Sequence, residues 1–551
     1  MSKTHTQQSS NNINVQGQSA PASVDTRHLK VPSKIGGGHQ HQSPTPVKQD
    51  FPAVPNVSVG NPAIKSLPVL VIRESCAAEQ KPLPHNLHRK IKLIRNQAGK
   101  AFALMQDGGN PYALAVRSKK LNAIISELAR KDGVPFKKTD LADLNDALEA
   151  FAEQYGEARE VWIRVAPIEG GVEIDLGDEE HTQARIMADS VEIVKSGSNV
   201  AFYRTVNAKP MAMPAKAGNL NLLRNYLNVR PSDAVLMIAW ISFILAHPKT
   251  PSAKYPVLVL QGNEGSGKTS LCKNVIIRII DPSEIGVQVF PHNAKDLAIA
   301  GQNAHVLCFD NLRGFTSNMA DMLCIAATGG TITTRQLYTD ADQQAIRLHV
   351  ALVLNGIHQF IDQPDLAQRC LTVPLTPLDK ANRKSEDEFV KEFEADLPAI
   401  MRGLFDLIAS IFAHLPNVEI TNPERMIDFV KWLAAMEMAE GVPVGVYQGL
   451  YSDTLQQGQL DALMDNPLAA AIIAFIDAHA DESWSGTPAH LLTKLNEAVS
   501  FGTQRSREWP QNPIALSKRI AALQAGLFSQ GIRIELTRGK QRTVTITKIG
   551  D

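Results

Sequence analysis

Hydrophobic and polar positions change rhythm several times along the chain, and each change predicts a boundary. Residues 1–84 are rich in Ser, Gln, Asn, Pro and Gly, as in Ile35-Gly-Gly-Gly-His-Gln-His-Gln42. Too few large apolar side chains stand there to offset ordering entropy, which predicts a disordered polar tail. Residues 85–215 mix strand-like runs, Phe102-Ala-Leu-Met105 and Val161-Trp-Ile-Arg-Val165, with helix-like stretches after Ser118 and Thr139, both of capping type. This predicts an N-terminal α+β domain. Its basic segment His88-Arg-Lys-Ile-Lys-Leu-Ile-Arg95 fits either a phosphate-backbone contact or a solvated strand edge.

Asn219 to His247 reads as two helices, the second opening at Arg230-Pro-Ser-Asp233. Its apolar run, Ala234 to Ala246, is too short to cross a bilayer and predicts a buried helix. Apolar strands then alternate with helices, and an α/β domain over 216–415 with a parallel sheet covered on both faces is expected. Asp387 to Leu415 is read as helical, residues 416–465 as a helical connector. Residues 466–551 give three helix candidates, then Ile532-Arg-Ile-Glu-Leu536 and Val544-Thr-Ile-Thr547 around the basic turn Arg538-Gly-Lys-Gln-Arg542. Helices ending in a hairpin are the order of a winged helix. Such domains bind either DNA or protein; Lys518, Arg519, Arg538, Lys540 and Arg542 are the candidate DNA contacts.

The chemistry is concentrated in the middle of the chain. The strand Val257–Leu260 runs into Gly262-Asn-Glu-Gly-Ser-Gly-Lys-Thr-Ser270, which matches G-x-x-x-x-G-K-[ST] in full. Gly262, Asn263, Glu264, Gly265, Ser266, Gly267, Lys268, Thr269 and Ser270 are the expected nucleotide-binding residues. The glycines let backbone N–H groups converge on phosphate oxygens, Lys268 neutralises the β and γ phosphates, and the Thr269 hydroxyl binds Mg²⁺. A helix over Leu271–Ile280 aims its positive end at the same anion.

His305-Val-Leu-Cys-Phe-Asp310-Asn311 is an apolar strand delivering a carboxylate, the Walker B pattern, with Asp310 expected to hold Mg²⁺ directly or through water. Asn311 stands where many motor ATPases carry an acid that polarises the attacking water. An amide orients water but cannot accept its proton. Val350-Ala-Leu-Val-Leu-Asn355-Gly356 ends a further strand in an amide of sensor type. Arg369, in Asp365-Leu-Ala-Gln-Arg369, fits either a surface salt bridge or an arginine finger acting on a neighbouring subunit. Between Asp310 and Asn355, Thr328 to Gln343 and the return run Ala345–Val350 predict a hairpin. It would offer Arg335 to a phosphate backbone or to a structural ion pair.

Composition changes this picture little. Lys plus Arg number 56, as do Asp plus Glu, so global charge argues neither for nor against a nucleic-acid partner. Cys76, Cys272, Cys308, Cys324 and Cys370 match no metal-ligand spacing, and a reducing cytoplasm is expected. Nothing N-terminal has the apolar core of a signal peptide.

The ordered set Walker A, Walker B, hairpin, sensor Asn and Arg resembles the superfamily 3 helicase core of the AAA+ class, in its phage and plasmid (poxvirus-type) primase-helicase group. The phrases carrying this are Asp310-Asn311-Leu312, Ala327-Thr-Gly-Gly330, Arg335-Gln-Leu-Tyr-Thr-Asp340, Leu354-Asn-Gly-Ile357 and Asp365-Leu-Ala-Gln-Arg369. The resemblance implies a P-loop AAA+ core and a homo-oligomeric, hexameric ring with ATP bound between subunits. It also implies translocation on single-stranded or forked DNA. Lys268, Thr269, Asp310, Asn355 and Arg369 take the motif roles by position. The N-terminal third shows no primase signature. The reading is an ATP-dependent DNA helicase or translocase, with no membrane, serving replication of a mobile element or phage. A DNA-binding ATP switch without processive unwinding is the alternative, favoured by Asn311; a P-loop small-molecule kinase leaves the hairpin and the C-terminal domain unexplained.

Overall fold

Lys119–Lys131 and Lys138–Tyr155 are the first long helices, and each shows how its start is fixed. The computed structural model describes residues 87–105, 108–335, 343–357, 360–361, 363–378, 384–479, 483–506, 509–538 and 542–549; the expected polar tail lies outside them. Ser118 caps the first helix, its Oγ accepting the Leu121 N–H at 3.3 Å. The second starts not at a Thr139 cap but at Lys138, because the Asp140 carboxylate accepts the Lys137 N–H at 2.6 Å. Both helices bury Leu121, Ile125, Leu144 and Leu148 against one face of a sheet. Its strands are β1 (Ile91–Arg95), β2 (Ala101–Met105), β3 (Tyr112–Ala115), β4 (Glu157–Ala158) and β9 (Phe202–Tyr203), in the order β4-β1-β2-β3-β9. The basic strand β1 is therefore internal rather than an edge, and Lys92 pairs with Glu157.

The strand expected over Val161–Val165 forms only from Val165. Arg164 adopts a left-handed φ of 62°, which breaks the extended run and turns its side chain inward. There Nε donates to Asp281 Oδ1 at 3.0 Å and Nη1 to the Asp175 carbonyl at 2.9 Å. This buried pair offsets the backbone strain and stitches the N-terminal region to the next one. Strands β5 (Val165–Ile168), β6 (Gly171–Asp175), β7 (Gln183–Met187) and β8 (Ser190–Val194) form an antiparallel meander. Its apolar residues Val172, Ile174 and Ile186 join the largest core of the molecule.

The central sheet is built from β10 (Val257–Gln261), β11 (Val287–Gln288), β12 (Val306–Leu312), β15 (Ala351–Gly356) and β16 (Cys370–Pro374). All pairings are parallel and the order is β11-β12-β15-β10-β16. Continuous apolar strands are what burial on both faces requires. Leu258, Leu260 and Val353 face the helices Pro231–Ala246 and Glu386–His414. Val259, Phe309 and Leu352 face the helices Ala294–Gln302 and Ser317–Thr328. In Pro231–Ala246 every residue from Asp233 onward except Val235 is buried, as the apolar run predicts, Ser242 included. By length and composition one described helix, Glu386–Asn417, could cross a membrane; half of that apolar window is buried in the protein.

Strands β13 (Gly330–Arg335) and β14 (Gln343–Leu348) form the expected antiparallel hairpin, apart from the main sheet. At the C-terminus the helices Pro467–Asp477, Pro488–Ala498 and Pro513–Ser529 pack on β17 (Ser483–Gly486), β18 (Ile532–Arg538) and β19 (Arg542–Lys548), ordered β17-β19-β18. The short β17, Ser-Trp-Ser-Gly, carries no apolar alternation, so the sequence does not announce it.

Candidate nucleotide site

The loop after β10 closes on itself through its glycines. Gly265 and Gly267 have φ of 77° and 84°, values that side chains disfavour. At Gly262 a Cβ would stand 2.7 Å from Ser266 Oγ. The helix that follows begins at Lys268, three residues before the expected start, and Leu271–Ile276 runs as a π-helix. Such turns recur at functional sites. Lys268 is drawn into the loop: Nζ donates to the carbonyls of Gly262 at 2.6 Å and Asn263 at 3.0 Å. Desolvation lowers its pKa, against Asp310 and Glu264, which raise it. A cation thus sits beneath a ring of backbone groups.

Thr269 and Asp310 meet across the loop and β12. The Thr269 hydroxyl donates to Asp310 Oδ2 at 2.7 Å. These are hard oxygen donors of the kind Mg²⁺ takes, with waters and phosphate completing its octahedron. No cluster of three His, Cys, Asp or Glu that could hold a metal occurs among the described residues. Asp310 Oδ1 accepts the Asn311 N–H at 2.6 Å, and Asn355 Oδ1 accepts the same N–H at 3.1 Å. Asn355 is fully buried, and its Nδ2 donates to Cys272 Sγ at 3.5 Å.

Asn311 itself has φ of 58°, and the β12–β15 register shifts between Phe309 and Leu312. The residue sits in a bulge, in the left-handed conformation that Asn tolerates better than most. Its identity therefore has a backbone reason independent of water activation.

Gly262 to Ser270, Asp310, Asn311 and Asn355 thus gather at the carboxyl ends of the central strands. Arg369 does not join them. Its carbonyl accepts the Val257 N–H at the start of β10, about 13 Å of strand from the loop at ~3.3 Å per residue. The guanidinium pairs with Asp365 Oδ2 at 2.6 Å, and its buried Nε has no hydrogen-bond partner. Arg335 closes β13 opposite Gln343; its side chain and the hairpin tip lie outside the described residues. In the C-terminal region Lys518 is exposed and Arg519 half-buried, and Arg538 pairs in register with Arg542. Lys540 lies outside the described residues.

Two contributors escape sequence reading. Cys272 orients the Asn355 amide, as above. Asn228 clamps the loop from outside, donating to the carbonyls of Ser266 at 3.1 Å and Thr376 at 2.6 Å. Neither residue belongs to a motif, and only the fold brings them near.

Comparison with known proteins adds likenesses to this geometry. Residues 220–457 match the family model described as "Actinomycete integrative conjugative element replication protein". Residues 468–551 match the one described as "AICE RepA C-terminal domain". In both segments the chain is similar to mobile-element replication proteins. No curated protein matches the chain. Among solved structures, the apo A form of the NrS-1 C-terminal region overlaps at 12% identity and a TM-score of 0.37, covering 86% of this chain and 100% of that one. A ligand-bound JCV helicase overlaps at 11% identity and 0.20, covering 42% and 67%. These overlaps are too loose to transfer an activity.

Proposed function

We propose that the chain is an ATP-driven DNA translocase or helicase acting in replication of a mobile element, with a P-loop core of the AAA+, superfamily 3-like kind. The observation that carries this is the 2.7 Å contact of Thr269 with Asp310 beside the loop-bound Lys268. Loop amides and Lys268 bind the triphosphate, with Lys268 exchanging carbonyl partners for phosphate oxygens. Thr269 and Asp310 hold Mg²⁺, which supplies charge neutralisation on the phosphates when bound. Asn355 and Asn311 set the polar wall beside it.

Arg369 lies at the opposite end of the strands from the loop and serves a neighbouring copy's nucleotide, which calls for a homo-oligomeric ring, a hexamer by resemblance. The β13–β14 hairpin offers Arg335 to single-stranded or forked DNA. The C-terminal region acts as a winged helix, with Lys518, Arg519, Arg538, Lys540 and Arg542 on the backbone. Cys272, Cys308, Cys324 and Cys370 are free thiols, which suits a reducing cytoplasm.

The deciding experiment measures ATP hydrolysis with and without single-stranded DNA, for wild type and Lys268→Ala. DNA stimulation abolished by the substitution is expected. Hydrolysis indifferent to DNA sinks the motor reading. The second reading, an ATP-dependent switch, is favoured by the amide at Asn311; tight ATP binding without turnover selects it.

A further inference from the structure

Two buried arginines of this chain are fastened in different ways. Arg164 has each side-chain nitrogen on a separate residue: Nε on Asp281 at 3.0 Å, Nη1 on the Asp175 carbonyl at 2.9 Å and Nη2 on the Lys209 carbonyl at 3.1 Å. Moving it would break contacts to three distant parts of the chain at once, so it is locked. Among the described residues, the Arg369 side chain bonds to one residue only. Its Nη1 donates to the Asp365 backbone carbonyl at 2.5 Å and pairs with Asp365 Oδ2 at 2.6 Å, while Nε is buried without a partner. An unsatisfied buried donor costs free energy. The withdrawn position of this guanidinium, with a side chain 11% exposed, is therefore favoured by a single carboxylate and opposed by desolvation.

That carboxylate is shared. Asp365 lies in the short helix Pro364–Ala367 between β15 and β16, and its side chain is 59% exposed. Arg425 reaches it from the segment that precedes the helix Ile427–Glu440. Its Nη1 donates to Asp365 Oδ1 at 2.6 Å and to Gln368 Oε1 at 3.0 Å. The Arg425 backbone is fixed on both sides: Met426 is buried, and Glu424 Oε1 accepts the Ser452 hydroxyl at 2.6 Å. One carboxylate thus binds two cations. Each weakens the hold on the other, because the charge is already partly compensated and the two guanidinium groups repel.

We propose that Asp365 is a catch for Arg369 and that Arg425 sets its strength. Within one chain the catch holds Arg369 withdrawn. A triphosphate presented by a neighbouring copy draws the guanidinium out, relieving its unpartnered Nε, and Arg425 keeps the vacated carboxylate paired. Asp365 and Arg425 are positioning residues that act through Arg369. This rests on the shared-site reading of Arg369 given above, and adds a regulation of that site.

The test measures ATP turnover and ATP-analogue affinity of the full chain at low ionic strength, where exposed pairs are least screened. Asp365→Asn keeps the shape of the side chain and removes the ion pair. Turnover is expected to rise about two- to fivefold, the span of an exposed pair. Arg425→Ala leaves the carboxylate to Arg369 alone, and turnover is expected to fall by about the same factor. Nucleotide affinity stays near wild type in both. The double substitution behaves as Asp365→Asn, since Arg425 acts through the carboxylate. A merely structural network gives no such opposition of sign: both single variants then melt earlier and turn over no faster than wild type. With Arg369→Ala itself inactive, turnover that does not rise in Asp365→Asn, or does not fall in Arg425→Ala, overturns the inference and leaves the shared site standing. If Arg369→Ala hydrolyses ATP normally, the shared-site reading fails, and the catch with it.

Discussion

Asn355 and Asn311 are joined by a hydrogen bond from the Asn311 backbone N–H to Asn355 Oδ1, 3.1 Å long. Because the other end of the amide is spent on Cys272 Sγ, Asn355 acts in this state as a strut under the Asp310–Asn311 bulge. Asn355→Ala is therefore expected to leave nucleotide affinity near wild type and to lower turnover by about 10²-fold, the usual loss for one preorganised polar group. Equilibrium binding of a fluorescent ATP analogue beside steady-state hydrolysis separates the two. Cys272→Ala should move turnover in the same direction by less, since it frees the amide without removing it.

Asn311 invites the opposite experiment. Sequence reasoning places a glutamate there to recover a base, but the left-handed φ of 58° penalises a longer side chain by about 1–2 kcal/mol. Asn311→Glu is expected to lower the melting temperature and to give no faster hydrolysis. Asn311→Gly should keep the melting temperature near wild type. A faster, equally stable Asn311→Glu variant would show that the bulge accommodates a base.

What the sequence discloses and what it withholds divide along a physical line. The parallel sheet is legible because Val257–Leu260, Val306–Phe309 and Ala351–Leu354 are unbroken apolar runs, and both faces of the sheet are indeed covered. The loop is legible because its glycines and lysine sit at fixed spacing. Where a residue's conformation depends on a distant partner, local pattern fails. Arg164 interrupts an apparent strand because Asp281, far along the chain, receives it. Asn228 and Cys272 enter the site only through tertiary contact, and β17 forms by pairing with β19 rather than through any periodicity of its own.

Thr269 and Asp310 should report the cation. Thr269→Ala and Asp310→Asn are each expected to reduce the Mg²⁺ dependence of nucleotide binding while leaving metal-free binding intact, because Lys268 and the loop amides are untouched. Titrating Mg²⁺ against a fluorescent ATP analogue measures this. An unchanged Mg²⁺ requirement in both variants would place the cation elsewhere.

Acid stability follows from two buried histidines, His305 and His349, and the half-buried His247. Burial lowers the pKa of His247, His305 and His349 to about 4 each, so they stay neutral when folded at pH values where the unfolded chain binds protons. The folded-state pKa values are depressed, so stability is full above about 6.5, the unfolded value, and falls as pH drops toward 4. Each histidine contributes a slope of about 1.4 kcal/mol per pH unit within that window. Melting curves from pH 7 to 4 should show the decline. His349→Phe, which keeps the stack on Tyr255, should make it shallower.

Arg369 is the sharpest test of assembly. In this chain it is bound to Asp365 at 2.6 Å, and the hydrogen bond from its guanidinium holds the Asp365 carboxyl below its usual range. As a purely structural pair it would contribute little, because Asp365 is largely exposed and surface pairs are worth ~0–1 kcal/mol. As a group acting on a neighbour's nucleotide, its loss is expected to lower turnover by about 10³-fold or more while sparing ATP binding. Its place at the start of β16, at the opposite end of the strands from the loop and about 13 Å of strand away, favours action on a neighbouring chain over action within its own. Mixing Arg369→Ala with Lys268→Ala distinguishes the cases. Each variant alone is inactive, whereas mixed assemblies contain junctions pairing an intact loop with an intact arginine and should regain measurable hydrolysis. If Arg369→Ala alone hydrolyses ATP normally and only melts slightly earlier, the arginine is a salt-bridge residue and the shared-site reading falls.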